Sequence, residues 1–277
     1  MTGASGSSSV ATEQTAINHL SPVRPNGPTN RLSEYPAAIS ESTGPTTSRL
    51  TLKVSESMHE RMSAFALVHR MYQRAGLTSE NPLKMRVLKH HVLDTTDVMV
   101  AKRNDSVEFT STLVRDGVHG MPSESLFADE IRAMRLSGLR LAEVSSLASG
   151  CELGDKKQRV ETLISMISLT IHVARRRGVD RLILAVHPRH AKVYQRMFGC
   201  APCSDVRQYE AVRGNPAVLC MHDFRELDVR KYSLYNRVYG EQYSPWAMDG
   251  TRMSDAEKRF FSQAISVNQS ECMPMAA

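Results

Sequence analysis

The sequence predicts a single mixed α/β domain, and three observations carry that prediction. Val160, Leu163, Ile164, Ile167, Ile171 and Ala174 recur at helical spacing. Residues 181–186 follow as a continuous apolar run, the pattern of a strand covered on both faces. Residues 141–148 precede the helix as a further strand, so 141–186 reads as a strand–helix–strand unit with a right-handed connection.

The other elements fall around this unit. Residues 1–48 are rich in Ser, Thr, Pro, Gly and Asn, and too poor in large apolar side chains to offset the entropy of ordering. They read as a disordered leader. Folded sequence begins near residue 50, where 50–54 alternate as a half-buried strand. Met58, Met62, Phe65, His69 and Tyr72 then share one helix face, and Gly76 sits where that helix stops. Residues 98–101 and 109–114 read as neighbouring strands around a polar turn at 102–105. A short helix is expected over 127–137. Asp155 is placed to cap the long helix, while Arg175, Arg176 and Arg177 suit the negative end of its dipole and Gly178 closes it. A helix over 191–198 ends at Gly199, and strands at 209–212 and 217–221, joined through 213–216, finish the sheet. Beyond them lie a tyrosine stripe, Tyr232, Tyr235 and Tyr239, which reads as packing, and Ser254–Glu257 at capping-box spacing. The expected organisation is a leader over 1–48, a domain over 49–225 and a helical extension over 226–277.

Composition narrows the function classes. A hydrophobic fraction of 41% supports a sizeable core, and no apolar run approaches the roughly 18 residues of a membrane span. The start has no charged segment followed by an apolar one, so the expected address is the cytoplasm, with no stable membrane insertion. The formal net charge of +6 comes without an aromatic-interleaved basic stripe or a reader motif, which argues against nucleic acid as a partner. The same excess suits an acidic protein or a phosphate-bearing donor. The five cysteines include one C-x-x-C, Cys200 and Cys203. No second pair accompanies it, so buried or idle thiols are expected rather than a metal or redox site.

The block Val186-His187-Pro188-Arg189-His190-Ala191-Lys192-Val193-Tyr194-Gln195-Arg196-Met197-Phe198-Gly199 resembles the long-chain N-acyl amino acid synthase family. So do Arg140–Ala148 around Glu143, the strand opening at Asn215-Pro216-Ala217-Val218-Leu219, and the upstream run Gly120–Phe127. The similarity spans roughly residues 50 to 225. It implies the acetyltransferase-like (GNAT) fold shared with acyl-homoserine lactone synthases: a mixed sheet flanked by helices. It also implies transfer of a long fatty acyl group to an amino acid, with acyl carrier protein as partner and donor, or acyl-coenzyme A in its place. The donor would be a phosphopantetheine-linked substrate rather than a permanently bound cofactor.

An amine attacking a thioester must lose a proton, have its oxyanion stabilised and see the thiolate protonated. In such a fold two parallel strands, here 141–148 and 181–187, part to admit the thioester arm. Glu143 on the first strand is the candidate to take the ammonium proton, unless strand alternation turns it to solvent. Ser145 shares its face by the period-two rule, and Val144, Ser146 and His187 are expected to contact the arm. Tyr194 inherits by resemblance the role of the acid that protonates the thiolate. A core aromatic is the alternative. His190, one helical turn before Tyr194, is a candidate base or brace. Lys156, Lys157 and Arg159 open the long helix, where cations oppose the dipole; a local rule broken this way marks a phosphate-binding candidate. The segment departs from the acetyltransferase phosphate loop Arg/Gln-x-x-Gly-x-Gly/Ala, which favours a carrier protein over coenzyme A. Other readings are a short-chain acetyltransferase, an acyl-homoserine lactone synthase, and a non-catalytic acyl or carrier-protein binding module.

Overall fold

A computed structural model describes residues 50–150 and 154–270. The expected leader, Cys151 and Cys272 lie outside the described residues. In chain order the elements are β1 (Thr51–Val54), α1 (Met58–Arg74), a 3-10 turn (Lys89–Val92), β2 (Thr96–Arg103), β3 (Ser106–Arg115), α2 (Glu124–Leu136), β4 (Leu141–Ser149), α3 (Lys156–Arg176), β5 (Arg181–Val186) and α4 (Pro188–Phe198). There follow β6 (Ala201–Pro202), β7 (Arg207–Tyr209), a 3-10 turn (Glu210–Val212), β8 (Asn215–Asp223), α5 (Phe224–Arg230), α6 (Tyr235–Gly240), α7 (Pro245–Asp249) and α8 (Asp255–Ser270).

The sheet runs β1-β2-β3-β4-β5-β8-β6, and β7 adds to β8. Every pairing is antiparallel except β4 with β5, which run parallel across the α3 crossover. Three apolar clusters cover it. On one face Leu163, Leu169 and Ile171 of α3 and Phe198 of α4 pack on Ala142, Leu182, Leu184 and Val218. On the other, Phe65 and Val68 of α1 with Phe261 of α8 cover Val98, Val100 and Ala148. Phe127 and Ile131 of α2 cover Leu141, Ile183 and Leu219 there.

Local chemistry explains the helix limits. Asp155 caps α3 through a hydrogen bond from the Gln158 amide at 2.8 Å, leaving its first turn anchored. Pro188 occupies the first turn of α4, where its missing N–H costs no helix bond. At the far end of α3 the three arginines do more than complement the dipole. Arg176 meets Asp249 at 2.8 Å and Arg175 pairs with Asp228, so the C-terminal helices are tied back onto α3, while Arg177 meets Asp97 of β2 at 2.9 Å. The tyrosine stripe packs as expected: Tyr235 stacks on Tyr239 at 4.3 Å, and Arg175 lies 4.7 Å from the Tyr239 ring centre.

Several limits differ from the sequence reading. The hairpin turn at 102–105 shrinks to Asn104 and Asp105, with Asn104 at φ 53°. Helix α2 starts at Glu124 rather than 127, and α4 starts at Pro188 rather than 191. The strand expected over 209–212 ends at Tyr209, because the chain must turn through Arg213 and Gly214, at φ 57° and 70°, to enter β8.

Candidate active site

Strands β4 and β5 pair through three residues only: Leu141 with Arg181, Ala142 with Leu182 and Glu143 with Ile183. Beyond Glu143 they share no pairing, although β4 stays registered with β3, and β5 with β8 as far as Val186. The parting is assisted by a bulge. Between Thr110 and Thr112 of β3 the partner residue on β4 moves from Ala148 to Ser145, and Ser146 takes φ 51°. The extra residue inverts the side-chain alternation, so Leu147 packs on the α3 face while Ala148 joins the α1 face. Ser146 Oγ is buried without a hydrogen-bond partner.

A cavity of about 690 Å³ occupies this gap and reaches both faces of the sheet. Its apolar wall on the α3 face includes Ile167, Ile171, Leu184 and Phe198. On the α1 face it is bounded by Tyr72, Arg86, Pro122 and Tyr209.

Glu143 sits at the apex, where the strands part. It is only 3% exposed, so the solvent-facing alternative does not hold. The side chain turns toward α2, where its Oε2 accepts hydrogen bonds from the Ser123 amide and from Ser123 Oγ, both at 2.8 Å. Burial raises its pKa to about 7; the two Ser123 bonds pull the other way and the nearby Glu124 charge adds to the rise. A carboxylate held near neutrality inside a cavity is matched to proton transfer at physiological pH.

The other sequence candidates separate into two groups. Val144, Ser145, Ser146, Arg159, His187, His190 and Tyr194 all line the cavity with Glu143. Tyr194 is also a member of the α3-face core, with its ring 6.0 Å from Phe198, so it packs as a core aromatic while it borders the cavity. His187 caps α4 by accepting the Arg189 amide on Nδ1 at 3.2 Å, and its ring lies 5.9 Å from that of His190. Burial lowers both imidazole pKa values, with neighbouring positive charge adding to it, which favours neutral rings. Lys156 and Lys157 stand apart: they are exposed on the first turn of α3 and do not line the cavity, whereas Arg159 turns back, its Nε donating to Gly154 O at 3.1 Å.

Ser123, Arg86 and Tyr209 were not singled out by the sequence. Ser123 lies 20 residues from its carboxylate partner, a separation no local pattern encodes. The Cys200 and Cys203 thiols are pushed up by burial, Cys203 to about 11, so neither is a ready thiolate. Among the described residues no cluster of three His, Cys, Asp or Glu side chains is placed to hold a metal ion, and no helix is long and apolar enough to cross a membrane.

Compared with known proteins, residues 63–223 match the family described as N-acyl amino acid synthase FeeM. Among solved structures, FeeM from uncultured soil microbes is similar over 69% of this chain and 98% of its own, with 20% identity and a TM-score of 0.60, a likeness of fold. The acyl-homoserine lactone synthase LasI is 12% identical over 71% of this chain and 98% of its own, with a TM-score of 0.47. Escherichia coli ElaA is 10% identical over 63% and 99%, with a TM-score of 0.45. Among curated proteins none matches.

Proposed function

The chain belongs to the N-acyl amino acid synthase FeeM family and is an N-acyltransferase, and on that premise we propose that it moves a long-chain fatty acyl group from the thioester of an acyl carrier protein to the amine of an amino acid. The observation that carries the reading is the parting of β4 and β5 immediately after Glu143, with one cavity joining the two faces through the gap. The transferring domain is assigned to the stretch 50–225, with the helices between 226 and 270 as its brace.

In this reaction Glu143 accepts a proton from the acceptor ammonium. The freed amine attacks the thioester carbon, forming the C–N bond and a tetrahedral oxyanion. Backbone amides of the unpaired strand edges beside Val144, with the Ser145 and Ser146 hydroxyls, stabilise that oxyanion. As it collapses the C–S bond breaks, Tyr194 donates its proton to the departing thiolate, the nitrogen's remaining extra proton passes back to the Tyr194 phenolate, and Glu143 returns its own proton to solvent. His190 and the capping residue His187, both neutral, hold the start of α4 in place beside the arm. Most of the rate gain comes from holding the amine and thioester in line.

The apolar α3-face wall of Ile167, Ile171, Leu184 and Phe198 suits an alkyl chain, which favours a long acyl group over acetate. Arg159 lies within reach of the arm's phosphate, while Lys156 and Lys157 outside the cavity present positive charge that complements an acidic carrier surface. Purified protein incubated with acyl-carrier protein or acyl-coenzyme A and a mixture of amino acids, followed by mass spectrometry, tests the reading. An N-acyl amino acid formed faster from the carrier-bound donor is expected. Acetyl transfer alone, or no transfer from either donor, overturns it.

A further inference from the structure

A transferase for amino acids must distinguish them from simple amines, and the distinguishing group is the α-carboxylate. Half-buried arginines elsewhere in this molecule are matched to carboxylates: Arg177 with Asp97, Arg181 with Asp223 and Arg135 with Asp116. Arg86 has no such partner among the described residues, yet it lines the cavity. Its backbone is fixed by donation of the Arg86 amide to Phe65 O of α1 at 3.1 Å. Its guanidinium lies 4.9 Å from the centre of the Tyr72 ring and gives one donor to Ala211 O at 3.2 Å, across the cavity mouth on the β7–β8 hairpin.

We propose that Arg86 binds the α-carboxylate of the acceptor, making the α1-face end of the cavity an amino-acid subsite. The inference rests on the transfer reading above. A guanidinium has five N–H donors in a planar fork, and only one is taken by Ala211, so a bidentate contact to a carboxylate remains open. Tyr209 lines the same end of the cavity. Its hydroxyl donates to Pro122 O at 2.8 Å, beside the Ser123 that holds Glu143. Burial and the Glu143 charge raise its pKa, so Glu143, Tyr209 and Arg86 line one cavity as a carboxyl group, a neutral phenol and a guanidinium. An α-amino acid carries its ammonium and carboxylate on one carbon and bridges such a pair, ammonium toward Glu143 and carboxylate toward Arg86. Arg159 and the α3 start contribute the opposite, donor end, which assigns the two ends of the cavity to different substrates.

The test compares each of a panel of L-amino acids with the amine that lacks only its carboxylate, using a tetradecanoyl thioester donor. A site built around a charged pair is expected to prefer the amino acid by about 100-fold or more in kcat/KM. Arg86→Gln is expected to lower kcat/KM for amino acids by about 100-fold, chiefly through KM, while sparing the amines and the donor KM. Arg86→Lys falls between, since it keeps the charge and loses the fork. Equal use of amino acid and amine by the wild type overturns the proposal, as does an equal loss for both acceptors in Arg86→Gln, or a rise in donor KM alone. The wild-type preference tests for a carboxylate subsite, and Arg86→Lys assigns it to Arg86 even if the Gln variant fails to fold. Calorimetric binding of an N-tetradecanoyl amino acid against the matching N-tetradecanoyl amine needs no turnover. If no acceptor is acylated, the transfer reading falls, while tighter, Arg86-dependent binding of the carboxylated compound still supports this subsite and equal binding sinks it.

Discussion

The two halves of the β4–β5 junction differ sharply although they belong to the same two strands. Over residues 141–143 the strands are paired and their side chains sealed: Leu141, Ala142 and Ile183 are 3%, 0% and 0% exposed. Over 144–149 and 184–186 pairing ends, Val144 and Leu147 are only partly buried, and the polar side chains of Ser145 and His187 enter a cavity. The open half carries Ser145, Ser146 and Ser149 where the paired half has Leu141, Ala142 and Glu143, but side-chain size alone does not set the difference in pairing. It comes from the bulge at Ser146 and from α2, which delivers Ser123 to Glu143 at the branch point. The paired half provides stability and the open half provides binding edges, with Glu143, a carboxylate whose pKa is raised to about 7 by burial, at the boundary between them.

Substitutions along the junction break or sharpen this contrast. The largest effect belongs to the boundary itself. Glu143→Gln keeps an oxygen for Ser123 yet removes the base, and N-acyl transfer is expected to fall by about 10²–10⁴-fold. In the wild type kcat/KM rises with pH through about 7 as Glu143 ionises. Stability moves the other way. The folded pKa is about 7 against 4.5 for the free group, so the stability it contributes is fully present below pH 4.5 and lost as pH rises through 7. That loss amounts to about 3 kcal/mol at most. Thermal melts of the Gln variant should lack this decline, and a parallel decline in both proteins contradicts it.

In the paired half, Ile183→Ala opens a cavity under α2 and is expected to cost about 2–4 kcal/mol in denaturant unfolding. Tyr194→Phe removes the proposed proton donor while keeping the ring packed on Phe198. Turnover should drop by about 10- to 100-fold with stability nearly unchanged, and wild-type turnover would return Tyr194 to a packing role alone. Ser123→Ala removes one of two hydrogen bonds to the Glu143 carboxylate, so the pH–rate limb should move up by about one unit. The smallest effect lies in the open half: Val144→Ala is expected to cost under about 1 kcal/mol because its side chain is only half covered. A cost equal to that of Ile183→Ala would erase the distinction between the halves.

Much of the frame is legible in the sequence because periodicity encodes it. The α3 stripe, the apolar β5 and the capping residues Asp155 and Ser254 each carry a local signal that the fold honours. Glu143 stood out as a carboxylate in an apolar strand, but period two alone left its face open; the Ser123 contact settles it. Ser146 at positive φ carries no residue signature, since serine has no special freedom there, so the inverted alternation beyond it was invisible. Arg86 lies in the irregular stretch between α1 and β2, where no periodicity assigns a side chain to a surface, and its partner Ala211 is 125 residues away.

Hydrogen exchange of the protein with and without a non-hydrolysable acyl-pantetheine thioether tests the open junction most directly. Strand-edge amides over 144–149 and 184–186 should slow on adding the compound, while those of Leu141–Glu143, already in the sheet, stay unchanged. Unaltered exchange along the open edges, with protection appearing elsewhere on the molecule, would contradict an acyl arm held between these two strands.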